Sequence, residues 1–156
     1  MDIIRDIEGV ELIYRSGEED FEVSLNPNIE IFYHPVTKIL FCDWYGRPTE
    51  EKIREYGAVI FNKFKAYGCT KVFNDNRKKR GDFPFSIDWT KNTWFPLMID
   101  EGGMLRFAWI LSADFFTKLS TDDAFPDFPQ VKLFTSGNEG YKWLLTNIPK
   151  NYEIGC

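Results

Sequence analysis

Two hydrophobic spacings alternate along this chain. Ile29-Glu30-Ile31-Phe32-Tyr33-His34 and Ile39-Leu40-Phe41-Cys42-Asp43-Trp44-Tyr45 are short apolar runs joined by Pro35-Val36-Thr37-Lys38. Two such runs across a tight link predict a β-hairpin, and Gly46-Arg47-Pro48 breaks the second strand. The spacing then lengthens. Ile53, Tyr56, Gly57, Ile60, Phe61 and Phe64 recur every three or four residues, which predicts a helix with one buried face. Thr49 is suited to cap it, and Glu50 and Glu51 suit the positive end of its dipole. Gly68 supplies a left-handed stop.

Lys71-Val72-Phe73-Asn74 follows almost at once and reads as a buried strand. A helix between two strands predicts a crossover and parallel pairing. The next segment, Asp75-Asn76-Arg77-Lys78-Lys79-Arg80-Gly81, is expected to be a charged loop. Ser86 is expected to cap a second helix carrying Ile87, Trp89, Trp94, Leu97 and Met98, with Pro96 kinking or dividing it. Glu101-Gly102-Gly103 ends that helix. Residues 104–111 form a nearly continuous apolar strand interrupted by Arg106. Ser112 caps a short helix with Phe115, Phe116 and Leu119. Val131–Phe134 is the last strand. Ser136 and Glu139 form a capping box for a final helix, with Tyr141, Leu144 and Leu145 expected inward.

Residues 1–28 are less regular. Val10–Tyr14 and residues 21–25 have strand character, and Asn26-Pro27-Asn28 is a turn signal. The expected organisation is an N-terminal strand-bearing extension, 1–28, packed on one domain, 29–156. Strands alternating with helices predict an α/β fold, a mixed sheet covered by helices.

Charge and composition narrow the function. A formal net charge of −5 disfavours general affinity for nucleic acid or anionic membranes. No apolar run is long enough to span a bilayer, and the first residues lack the basic-then-apolar order of a signal peptide. A cytoplasmic protein is expected. Three cysteines, Cys42, Cys69 and Cys156, make an odd count that argues against a disulfide framework. The single histidine, His34, would have to serve any zinc site or Ser-His-Asp arrangement, and beside Pro35 it reads as a turn residue. Neither catalysis nor a cofactor is expected. Aromatic residues make up 17% of the chain, enough for a dense core and also for an aromatic groove.

Several residues stand out against this background. Open α/β folds place working residues after the carboxyl ends of parallel strands, which points to Asp75, Asn76, Arg77, Lys78, Lys79 and Arg80, with Ser86 at the following helix start. The basic run either holds a phosphate or a partner's acidic patch, or is a solvated connection; its likeness to a nucleic-acid-binding or localisation tag is opposed by the acidic remainder of the chain. Asp75 is either a turn former or an acid at that edge. Asp43 either faces solvent on its strand or is buried with a partner. Arg106 either protects a sheet edge or pairs with an acid or an anion. In the loop 120–129, Phe125 and Phe128 either anchor the loop to the core or close over a groove. The carboxylates there do not follow the EF-hand spacing for calcium.

The chain resembles the STAS fold of the anti-sigma factor antagonists, and more closely the bacterial SpoIIAA-like, or STAS/SEC14-like, proteins. The resemblance runs over roughly residues 29–147. It rests on Asp43-Trp44-Tyr45-Gly46, the helix 50–66, and Val72-Phe73-Asn74-Asp75. It continues through Trp94 and Pro96, residues 107–112, Leu133-Phe134-Thr135-Ser136, Glu139 and Trp143-Leu144. The antagonists carry Asp, a spacer and a phosphorylatable Ser after this strand. Here Asp75 matches, but Arg77 stands in the serine's place, and the nearest serine is Ser86. The resemblance implies a non-enzymatic regulatory module that docks a protein partner through the 75–81 loop, without the usual phospho-switch. Its SEC14 side implies the alternative, a small amphipathic-ligand or lipid-binding domain with a groove of Trp89, Trp94, Phe125 and Phe128. An enzyme built on carboxylates is a weaker third reading, with no nucleophile and base pair in view.

Overall fold

A computed structural model describes residues 2–7, 10–14, 28–80, 84–121 and 127–146. β1 (Asp2–Ile7) and β2 (Val10–Tyr14) pair antiparallel as a two-stranded sheet of their own. β2 is the strand expected there. The strand expected over 21–25 lies outside the described residues.

The main sheet has five strands in the order β3-β4-β5-β6-β7. β3 (Ile29–His34) and β4 (Ile39–Gly46) form the expected antiparallel hairpin. In the turn, the Nδ1 of His34 accepts the backbone N–H groups of Val36 and Thr37, so His34 is a turn residue. α1 (Glu50–Ala66) is capped by Thr49, whose hydroxyl accepts the Lys52 N–H. It leads to β5 (Lys71–Lys79), which pairs parallel to β4. β6 (Arg106–Ile110) and β7 (Val131–Phe134) extend the sheet in parallel. The fold is therefore α/β with one mixed sheet.

Alternate strand residues feed two cores, one on each face. On one face Leu40, Cys42, Val72, Phe107 and Trp109 pack with Ile53, Tyr56, Ile60 and Phe64 of α1. On the other, Phe41, Phe73, Ala108 and Ile110 pack with Leu144 of α4 (Gly137–Leu145). The Ser136 hydroxyl caps α4 by accepting the Glu139 N–H. Leu145, expected inward, is 46% exposed, one position past the buried Leu144. α3 (Ala113–Thr121) begins after Ser112, whose hydroxyl accepts the Phe115 N–H.

Four further expectations change. Ser86 does not open the second helix, because α2 (Pro84–Trp89) already includes it. Pro at the first helical position needs no N–H partner, so Pro84 begins the helix more readily than Ser86 caps it. Pro96 does not divide the helix. α2 runs on through π-helical turns at Thr90–Trp94 and Leu97–Glu101, with helical backbone angles at Phe95 and Pro96. Pro96 lacks the N–H that four-residue bonding requires, and five-residue bonds flank it, Phe95 N–H to Thr90 before it and Gly102 N–H to Leu97 after it.

Arg106 guards no edge, since β6 lies between β5 and β7. Its guanidinium donates to the carbonyl of Trp143 and the hydroxyl of Thr146, at the end of α4, and stacks over the Trp143 ring at 4.7 Å. Cation and helix C-terminus are matched. The largest change is β5 itself. It does not stop at Asn74 but continues to Lys79, because β4 offers backbone partners as far as Gly46.

Gly57 fixes how closely the second helix approaches α1. A Cβ there would collide with the Trp89 ring. Gly57→Ala should destabilise the protein by about 1–3 kcal/mol, the usual range for overpacking. Denaturant unfolding monitored by tryptophan fluorescence measures it, and an unchanged midpoint would contradict this packing.

Candidate functional site

The continuation of β5 contains a β-bulge. Asp43 pairs with Asp75 and Tyr45 with Lys78, so Asn76 and Arg77 together oppose Trp44. A bulge changes which face the following residues occupy. Here it divides the basic run expected to form a loop. Arg77 turns to the α4 side and meets Asp75 with two side-chain bonds, 3.0 Å from Nε and 2.8 Å from Nη2. The Arg77 N–H also donates to Asp75 at 3.0 Å. Asp75 thus makes the local backbone bond expected of a turn former while remaining buried in a strand. Lys78 lies on the same side, its ammonium 3.1 Å from Asp43. Asp43 is buried rather than solvent-facing, since its strand is covered on both sides. Arg80 closes the ladder by donating its N–H to the Gly46 carbonyl.

Lys79 falls on the opposite face. It pairs with Gly46, whose φ of +72° suits glycine, and its ammonium lies 5.0 Å from the centre of the Trp44 ring. The side chain is partly exposed, but protein surrounds its amine, and this burial lowers its pKa to about 8. Desolvation disfavours the charged form, while the Trp44 π face offsets part of that cost.

Beside Lys79 runs a short chain of hydrogen bonds with a fixed direction. The Trp44 indole can only donate, and it donates to Asn74 Oδ1 at 2.8 Å. That leaves the Asn74 amide nitrogen to donate to Asn76 Oδ1 at 3.0 Å. Asn76 must then direct its own NH2 group outward from the chain. The sequence Trp44, Asn74, Asn76 ends in a donor.

Asn76 and Lys79 both line one partly open pocket of about 40 Å3, with walls of Trp44, Trp89 and Trp94. It opens between α1, the π-helical turn and the carboxyl ends of the parallel strands. Trp89 and Trp94 stack at 6.4 Å, and the Trp94 indole donates to the Gly57 carbonyl at 2.9 Å. Single π turns inside helices are frequent at functional sites.

The candidate residues are thus separated. Asn76, Lys79, Trp89 and Trp94 share the pocket. Asp75, Arg77 and Lys78 belong to the other face. Phe128 is not at the pocket but packs edge-on against Phe95 at 5.3 Å. Phe125 and the Ser86 side chain lie outside the described residues. Trp44 and Asn74 were not singled out as site residues, although the strand-end rule that indicated Asp75 applies equally to the end of β4. Among the described residues, no group of three His, Cys, Asp or Glu is placed to hold a metal ion. No helix among them is long and apolar enough to cross a membrane. No known family model matches the chain, and no curated protein is significantly similar to it.

The buried amine makes a thermodynamic prediction. Its folded pKa, about 8, lies below the ordinary lysine value of 10.5. Below pH 8 both folded and unfolded states hold the proton, and the burial cost is constant. Between 8 and 10.5 only the unfolded state holds it, so this residue's contribution to stability rises with pH. Lys79→Met should therefore stabilise the protein at pH 7 by about 1–3 kcal/mol. That advantage should shrink as pH rises toward 10.5. Melting curves of both proteins across this range test it, and a pH-independent difference would contradict it.

Proposed function

We propose that this protein binds a small amphipathic ligand by a compact acceptor group, a carboxylate or carbonyl, at the carboxyl ends of β4, β5 and β6. The observation that carries this reading is two donors of different kinds, Asn76 and Lys79, in one tryptophan-walled pocket. A space of about 40 Å3 takes roughly three water-sized groups. That matches the three heavy atoms of a carboxylate. The apolar remainder of the ligand would extend through the open side. A few directional polar groups set in an apolar wall are the usual composition of small-molecule sites.

The resemblance to STAS/SEC14-like proteins supports the same ligand class, and a regulatory role is consistent with it. Docking of a partner through the basic run has less support. Arg77 and Lys78 are engaged by Asp75 and Asp43 of their own sheet. The buried free thiols Cys42 and Cys69 suit a reducing cytoplasm, which is the compartment we favour.

Sodium hexanoate is a suitable probe. At 100 times its dissociation constant it should stabilise the protein by about 2.7 kcal/mol, read as a rise in melting temperature. Hexanol, lacking the charge, should do less. Affinity should fall as pH rises and Lys79 loses its proton, with a midpoint above 8 when the bound anion favours the ammonium. Lys79→Met should abolish the hexanoate effect. No melting shift and no change in tryptophan fluorescence at millimolar hexanoate would overturn the reading.

A further inference from the structure

We infer that Lys79 captures small aldehydes or ketones as a reversible imine inside the tryptophan-walled pocket. This deepens the proposed ligand site and rests on it. Three features carry it. First, the bulge at Asn76-Arg77 fixes Lys79 on the pocket face, among the residues that line the cavity. Second, the hydrogen-bond chain from Trp44 through Asn74 ends in the Asn76 NH2 group, a donor for a carbonyl oxygen in the same pocket. Third, the pocket's 40 Å3 admits the carbonyl group with its immediate neighbours and little else.

The chemistry is balanced without any co-reactant. The lone pair of Nζ attacks the carbonyl carbon, and a C–N bond forms as the carbonyl π pair moves to oxygen. Asn76 donates a hydrogen bond to that oxygen as its charge grows. A proton passes from nitrogen to oxygen, giving a carbinolamine. Its hydroxyl then leaves with a further proton as water, and C=N replaces C–N. Addition of water reverses the sequence.

Only the unprotonated amine can attack. With a pKa of about 8, about a tenth of Lys79 is neutral at pH 7, some 300-fold more than an ordinary lysine provides. Lysines used for Schiff-base chemistry are activated by desolvation of this kind.

The experiment uses the full chain with hexanal and sodium cyanoborohydride at pH 7, followed by peptide mapping. The hydride is supplied only to fix the imine as a stable secondary amine. Lys79 should be alkylated roughly tenfold or more faster than the exposed Lys65 and Lys142. Hexanoate should protect Lys79 and leave those two unaffected. Mapping separates Lys79 from the terminal amine, which also reacts near neutrality. Alkylation of Lys79 no faster than of Lys65 and Lys142, while hexanoate still binds, would overturn imine capture and leave the ligand site standing. Fast, saturable alkylation without hexanoate binding would support capture and overturn the carboxylate reading. Failure of both overturns both.

Discussion

One extra residue in one strand organises this molecule's polar chemistry. At Trp44, β5 supplies two residues where β4 supplies one. Before that point, odd residues of β5 face α4 and even residues face α1. After it the parity is reversed. Arg77 and Lys78 fall together on the α4 side with Asp75 and Asp43, and Lys79 falls on the pocket side over Trp44. Without the bulge, Lys78 would face the pocket side opposite Gly46 and Lys79 would face the α4 side. Within the basic run, Arg77 and Lys78 are thereby set against Asp75 and Asp43, while Lys79 lies over Trp44 with its amine partly desolvated.

The neutralised pairs and the pocket have different physical characters. Arg77 engages Asp75 through both side-chain oxygens, the geometry that makes arginine–carboxylate contacts strong. The exposed portion of Lys78, 59% of its side chain, limits what its bond to Asp43 contributes. On the pocket side, the donor-only indole of Trp44 orients Asn74, and Asn74 orients Asn76. The orientation of a chemically useful group is therefore inherited from a tryptophan two side chains away. Gly57 admits Trp89 against α1, and the π-helical turn at Thr90–Trp94 brings Trp94 to the same wall. The apolar walls raise the cost of holding a charge, and this cost lowers the pKa of Lys79.

Hydrophobic spacing carried much of the fold. The hairpin, α1 and the parallel crossover follow from residues whose burial leaves little choice: Ile31, Phe41, Ile53, Ile60 and Val72. Thr49 and Ser136 were legible as caps because their bonds are local. Asp75 to Lys79 was not legible as strand. Charge within a segment argues for a loop, whereas here tertiary partners, the β4 ladder together with Asp43 and Asp75, supply what the local sequence lacks. Arg106 was misread for a related reason. Its compensation comes from Trp143 and Thr146, far along the chain. Division of the helix at Pro96 was one of two readings, a kink or a break, because five-residue helical bonding has no signature in spacing. Of the site, Trp89 and Trp94 were legible as aromatics and Lys79 as part of a basic run. Their union with Asn76 depends on the bulge, which no single-residue signal announced.

The site depends on Lys79 being enclosed by Trp44 and its neighbours rather than extended into solvent. Site-resolved NMR titration of the lysine side chains, with Lys79 assigned from the Lys79→Arg spectrum, measures this directly. The Lys79 resonance should titrate near pH 8. Titration of Lys79 near the ordinary lysine value of 10.5 would contradict it.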